Sequence, residues 1–193
     1  MRKLSACIAV ALLAALGGWL ALGGKSDGSA EAGQSPTVAA ELTSSFKALH
    51  PQASAVPEAA AIAGRFPPGL KIAAESVRKA FDDGKRQVYL LAGSNDLCLQ
   101  INDEAPSSGC AYADSASDGE HLFADVTTLG EGRTRVTVAV PDGVTDLVLS
   151  PTGGPSEPMT VRENVAIAIV KAANGTLTWK TADGVAHSMR LLV

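Results

Sequence analysis

Aromatic residues are scarce, with Phe, Trp and Tyr making up 4% of the 193 residues. A surface that stacks sugars or bases needs more exposed rings than that. Excess positive charge is also absent: the formal net charge is -4, which leaves neither the basic footprint of a nucleic-acid binder nor a polybasic patch for anionic lipid. Cysteine is limited to three residues. There is no C-x-x-C pair and no histidine near Cys98 or Cys110, so neither a dithiol redox motif nor a complete zinc shell can be read there. Lys and Arg are missing from the whole stretch between Arg86 and Arg133, and charge of either sign is missing from Leu4 to Leu22.

The second gap defines the N-terminus. Arg2 and Lys3 precede it and Lys25 is the first charge after it, the order expected when the N-terminus stays inside. A helix over these 19 residues approaches the roughly 30 Å hydrocarbon core, and the run exceeds the roughly 7 to 15 residues of a cleavable signal core. Against retention, Gly17-Gly18 divide the run, and small-residue cleavage patterns occur at Ala21-Leu22-Gly23 and Ala30-Glu31-Ala32. Residues 1–24 therefore read as a signal anchor or a signal peptide. The rest is then extracytoplasmic, either membrane-anchored through this helix or secreted. In the anchored case Ala14-x-x-x-Gly18 offers a helix-pairing face. Leu4-Ser5-Ala6-Cys7 spells a lipobox, but ahead of the hydrophobic core rather than after it. Gly24-Lys25-Ser26-Asp27-Gly28 matches both a nucleophile elbow and the end of a P-loop, yet it lacks the strand-turn-helix setting, and Trp19 occupies the P-loop's leading glycine position. Residues 25–36 read as a flexible Gly/Ser-rich tether.

Beyond the tether, Val38, Leu42, Phe46 and Leu49 recur at helical spacing between Pro36 and Pro51, and residues 37–69 read as this helix followed by an Ala/Pro-rich spacer. Leu70, Ala74, Val77 and Phe81 predict a second short amphipathic helix ending at Asp82-Asp83-Gly84. From residue 87 the period becomes strand-like. Short β-rich runs span Gln87 to Ala92, Leu97 to Asn102, Leu122 to Leu129, Thr134 to Val140, Thr145 to Ser150, Met159 to Arg162, Val165 to Val170, Leu177 to Lys180 and Ser188 to Val193. Residues 70–193 thus read as a mainly β domain, an antiparallel sandwich or small barrel of about eight or nine short strands. Pro141-Asp142-Gly143-Val144 predicts a two-residue hairpin that sets Val138 opposite Leu147 and Val136 opposite Leu149. Asn174-Gly175 and Asp183-Gly184 predict two further hairpins closing the sheet through Trp179, and the turn takes precedence over the Asn174-Gly175-Thr176 glycosylation sequon.

With Cys7 in the hydrophobic segment, Cys98 and Cys110 are the pair left for a disulfide in an oxidising compartment. The chain-entropy gain for so short a loop is roughly 3 kcal/mol. The lysine-free stretch carries Asp96, Asp103, Glu104, Asp114, Asp118, Glu120, Asp125 and Glu131, which predicts an acidic side suited to solvent or to a cationic or protein partner. Asp114 to Gly119 resembles the opening of a calcium loop, with Asp114, Asp118, Glu120 and Asp125 as candidate ligands. Ala116 replaces one ligand, however, and a strand follows where a helix belongs. Asp118 and Glu120 offer the paired carboxylates of glycoside chemistry. Of His50, His121 and His187, only His121 has an adjacent carboxylate, so it is the one candidate base, weighed against a surface histidine at a strand start.

The VYLLAG run, the cysteine pair, VPDGVTDLVL, the Val161 to Val165 run and the closing strands together resemble a small β module of uncharacterised exported or membrane-anchored actinobacterial proteins, over about residues 70 to 193. The resemblance implies the β fold and no particular activity. The expectation is therefore a non-enzymatic envelope protein acting by surface recognition or as a structural component, without a cofactor. The alternatives are an extracytoplasmic hydrolase built on the 96–131 carboxylates and a calcium-dependent adhesion module. Intact mass from the native host separates the two N-terminal fates, since cleavage leaves a chain beginning near Gly24 or Gly33.

Overall fold

The computed structural model describes residues 37–50 and 56–192. The expected anchor or signal, its cleavage patterns, Cys7 and the tether lie outside the described residues. Among those described, no helix is long and apolar enough to cross a membrane. The described chain is mainly β, with twelve strands in three antiparallel four-stranded sheets. The first sheet is a meander of β1 (Arg78–Asp82), β2 (Gln87–Ala92), β3 (Asp96–Asn102) and β4 (Ser107–Tyr112). In the second, β5 (Phe123–Thr128), β6 (Thr134–Ala139), β10 (Val165–Val170) and β9 (Val161–Arg162) follow in that order. The third orders β12 (Ala186–Leu192), β11 (Asn174–Lys180), β7 (Thr145–Pro151) and β8 (Glu157–Pro158). Three short helices, α1 (Ala40–Ser45), α2 (Ala59–Ala63) and α3 (Ala113–Ser117), complete it.

Alternation along the strands builds the layers. Every residue of β6 is buried. Val136 and Val138 meet Leu147 and Leu149 of β7 and Leu177 and Trp179 of β11 in one core, whereas Ala139 belongs to a second core with Val88, Leu90, Leu99 and Ile101 of the first sheet. The second sheet therefore lies between the other two, and with both faces covered β6 has no exposed residue, its polar Thr134, Arg135 and Thr137 included. The first sheet is covered on its far face as well: Tyr89, Leu91 and Cys98 pack with Val56, Ile62 and Phe66 around α2. Each such aliphatic or aromatic side chain contributes about 1.5–3 kcal/mol on burial. Residues expected as helix and spacer, among them Leu42, Phe46 and Ile62, thus supply core.

Several expectations need correction. The second helix is replaced by two 3-10 turns, Pro68–Leu70 and Ala74–Ser76, followed by strand β1. A register shift between Lys79 and Phe81 breaks the two-residue period there, so the apolar spacing imitates a helix. The first helix stops after six residues. Beyond it the Lys47 N–H donates to Asp142 Oδ2 at 2.9 Å and the Ala48 N–H to Asn164 Oδ1 at 2.8 Å, so tertiary acceptors take donors that a longer helix would use. The chain does turn at Asp142-Gly143, with Gly143 at φ 85°, but β6 and β7 do not pair. β6 lies beside β5 and β10 while β7 lies beside β11 and β8, so the turn is a crossover between sheets. Val136, Val138, Leu147 and Leu149 still meet, across a core instead of along a ladder. Asn174-Gly175 is not a turn either: it lies within β11, where a Cβ on Gly175 would sit 3.0 Å from the Ser150 carbonyl oxygen. Asp183-Gly184 does turn the chain between β11 and β12.

A disulfide staples the first sheet, and two polar devices join segments and layers. Cys98 and Cys110 are directly opposite on β3 and β4 and form a disulfide with Cα atoms 4.1 Å apart. Asn164, buried at φ 62°, donates from its amide to the Val140 carbonyl and to Asp142 Oδ1, both at 2.9 Å, while accepting from Ala48. This clamp fastens the α1 segment to the crossover. Arg135, at 0% exposure, reaches from the middle sheet into the β3–β4 turn. It donates to Asp103, to the Ala105 carbonyl, to the Ser107 and Thr127 hydroxyls and, at 3.3 Å, to Asp125 Oδ1. Arg86 donates to the same Asp103 oxygen at 3.2 Å.

Burial, the largest single influence, pushes the Asp103 carboxyl up, but the Arg135 hydrogen bond, the Ala105 N–H and the two guanidiniums outweigh it and hold it below its usual range. A depressed carboxyl stabilises the fold above its unfolded pKa of about 3.9 and loses that contribution as pH falls through the lower folded value. Arg135→Met is expected to lower unfolding free energy by about 3–5 kcal/mol, since it strands buried carboxylates. Asp103→Asn should flatten the loss of stability below about pH 4. Denaturant titrations across pH read both. Reduction of the disulfide should lower the same free energy by about 3 kcal/mol.

Candidate functional site

The most chemically mixed cluster forms where α3 runs into β5. α3 ends at Ser117 with Asp118 as its C-cap, and Gly119, at φ 74°, turns the chain into Glu120 and His121. Asp118 Oδ1 accepts the Glu120 N–H at 2.8 Å and the His121 N–H at 3.0 Å, while Oδ2 lies 3.1 Å from His121 Nδ1. Burial pushes the Asp118 carboxyl up, yet the His121 N–H, its imidazole and the Glu120 N–H together hold it below its usual range. One ligand-capable atom each from Asp118, Glu120 and His121 lies within 4.8 Å of the others. All three residues are exposed, so solvent screens their charges.

A buried tryptophan anchors this loop. Trp179 Nε1–H donates to the Gly119 carbonyl at 2.7 Å, and its ring stacks on His187 of β12 with centroids 5.8 Å apart and planes 17° from parallel. Asp118, Glu120, Thr181, Asp183 and His187 line one open depression of about 280 Å³. Asp183 is held below the usual carboxylate range by the Thr181 hydroxyl and then by the Val185 N–H. A second depression of about 500 Å³ shares His187 with it and continues over Trp179, Asp146, Val148, Thr178 and Lys180.

The calcium candidates separate into three places. Asp118 and Glu120 come together with His121. Asp114 sits exposed in α3, with Oδ1 on the Ser115 N–H at 2.6 Å. Asp125 points its Oδ1 at Ser107, Thr127 and Arg135. The acidic stretch is partly neutralised from its own ends, because Arg86 and Arg135 hold Asp103, Arg133 holds Glu104 at 3.2 Å, and Arg135 holds Asp125. Asp96, Asp114, Asp118, Glu120 and Glu131 have no such arginine partner among the described residues. Cys98 and Cys110 serve the first sheet. His50 closes the α1 segment, its carbonyl accepting Arg78 Nη2 at 3.4 Å.

Sequence reasoning missed Trp179, His187 and Asp183 as neighbours of the acidic loop. They arrive from a hairpin some sixty positions downstream, and the Asp183-Gly184 turn was the one local signal. Comparison with known proteins finds no matching family model, no matching curated protein and no matching solved structure. Trp179→Phe keeps the ring but removes the donor to Gly119. It is expected to lower stability by about 1–3 kcal/mol and to speed amide hydrogen exchange at Glu120 and His121 ahead of the β11 amides.

Proposed function

We propose that this is an exported protein whose β domain works outside the cytoplasm by surface recognition or as a structural component of the envelope, and not by catalysis. The observation that carries the reading is how the buried polar chemistry is used. Buried Arg135 and Asn164 are engaged, with Asp103 and the exposed Asp142 as their partners, in joining sheets and segments, whereas the described depressions around Asp118 and His187 are open to solvent. The Cys98–Cys110 disulfide is consistent with an oxidising compartment, and the uncharged run from Leu4 to Leu22 supplies a route there. Exposed Asp114, Asp118, Glu120 and Glu131 offer a cationic partner its complement. In intact cells of the native host, added protease should cut the β domain and a thiol reagent should label Cys98 and Cys110 only after reduction. Labelling without reductant in a protease-protected protein would sink the proposal.

The proximity of Asp118, Glu120 and His121 favours one second reading, an extracytoplasmic hydrolase using the two carboxylates. It requires Asp118→Asn and Glu120→Gln each to abolish a hydrolytic activity of the purified protein while leaving its melting temperature unchanged. The recognition reading requires both variants to keep the fold and to lose binding of a cationic partner instead.

A further inference from the structure

We propose that β12 is a docking edge for a second copy of this chain, the two β12 strands pairing antiparallel about a two-fold axis at Met189 to fuse both third sheets into one. An unpaired strand edge is a row of free N–H and C=O groups, and proteins normally block it with charge, proline, a bulge or brevity. The other edges of this fold are blocked. β8 and β9 are two residues long, and β8 ends in Pro158. β1 carries Lys79 and Asp82 and a register shift. β4 and β5 lie against each other, with the Ser107 hydroxyl donating to Asp125 at 2.9 Å and the Phe123 ring 3.2 Å from where a Cβ on Gly109 would sit.

β12 has none of these devices. Its seven residues, Ala186–Leu192, keep an unbroken register with β11, contain no proline and carry one charge, Arg190. No residue from Ala186 to Arg190 is buried, and among the described residues no strand pairs with the edge away from β11. Two of the five large apolar side chains exposed among the described residues, Val185 at 50% and Leu192 at 65%, bracket this strand.

The register argues for a second copy rather than an unrelated strand. The Thr181 N–H donates to the Val185 carbonyl, and counting by twos from that pair, His187, Met189 and Leu191 turn their backbone groups to β11. Ala186, Ser188, Arg190 and Leu192 therefore turn theirs outward. A two-fold axis at Met189 sets Ala186 opposite Leu192 and Ser188 opposite Arg190, so every outward N–H and C=O of both strands finds a partner. Moving the axis to Arg190 sets two guanidiniums face to face, and moving it to Ser188 leaves Leu192 unpaired. With the axis at Met189, that side chain, half-buried against the core between the second and third sheets, meets its own counterpart in a close non-hydrogen-bonded pair and extends the apolar face. Leu192 comes to rest beside Ala186 of the second copy.

Sedimentation velocity and cross-linking of the full chain in non-ionic detergent test the edge. Met189→Cys should yield, on mild oxidation, a dimer whose disulfide maps by mass spectrometry to position 189 in both copies. Ser188→Glu sets a carboxylate opposite Arg190 of the second copy and should lower the dimer dissociation constant by about three- to tenfold, while Ser188→Arg sets like charges opposite and should raise it by about the same factor. Ser188 is exposed, so both variants should keep the circular dichroism spectrum of the unmodified chain. A chain that stays monomeric, a Met189→Cys variant that does not cross-link through position 189, or a dimer indifferent to the charge at 188 would each overturn the proposal. The last outcome assigns association to another surface, such as the Ala14-x-x-x-Gly18 face.

Discussion

The architecture depends on a guanidinium with no access to water. Arg135 stands on the central strand of the central sheet, where its neighbours Val136 and Val138 face one core and Ala139 the other. A charge at that position is tolerable only because Asp103 descends from the first sheet and Asp125 from the adjacent strand to meet it. Making such a pair gains little over well-packed apolar side chains, but leaving half of one behind is severely unfavourable. The interaction therefore acts as a constraint on register: the β3–β4 turn, β5 and β6 can be brought together in the one alignment that returns both carboxylates to the arginine.

The same logic recurs at smaller scale wherever layers meet. Asn164 and Asp142 capture backbone donors of the α1 segment. Tyr89, its hydroxyl pushed up to about 12 by burial and by Glu58, donates to Glu58 at 2.7 Å beside α2. The Ser76 hydroxyl donates to the Ala92 carbonyl at 2.6 Å and accepts the Ala92 N–H at 3.0 Å. Apolar side chains fill the cores, and a few polar ones decide what is stacked on what.

This division explains what could be read from the chain. Apolar runs mark these strands: Val88 to Ala92 is buried throughout, and Val165 to Val170 carries no polar residue although Ile169 is exposed. β4, Ser107–Tyr112, escaped notice because Ser107, Ser108, Gly109 and Cys110 carry neither β-branched bulk nor clear alternation. The pattern in Val136, Val138, Leu147 and Leu149 identified partners correctly and their geometry incorrectly, since apolar complementarity is the same whether two strands lie side by side or face each other across a core. The acidic loop was legible as charge, but its tryptophan anchor and second histidine were not. Nothing local in Trp179 or His187 points to Gly119; only the stacking of the third sheet beneath the α3–β5 loop brings them together.

The crossover at Asp142-Gly143 also bears on how the chain assembles. Every strand of the first sheet pairs with its neighbour in sequence, and the disulfide closes within that meander, so this part can zip up while later residues are still unfolded. The other two sheets have no such freedom. β6 and β7 diverge into different layers and wait for β10 and β11, which diverge in the same way. Neither layer can be completed alone, so the C-terminal half must close in one cooperative event on a template the N-terminal half has already laid down.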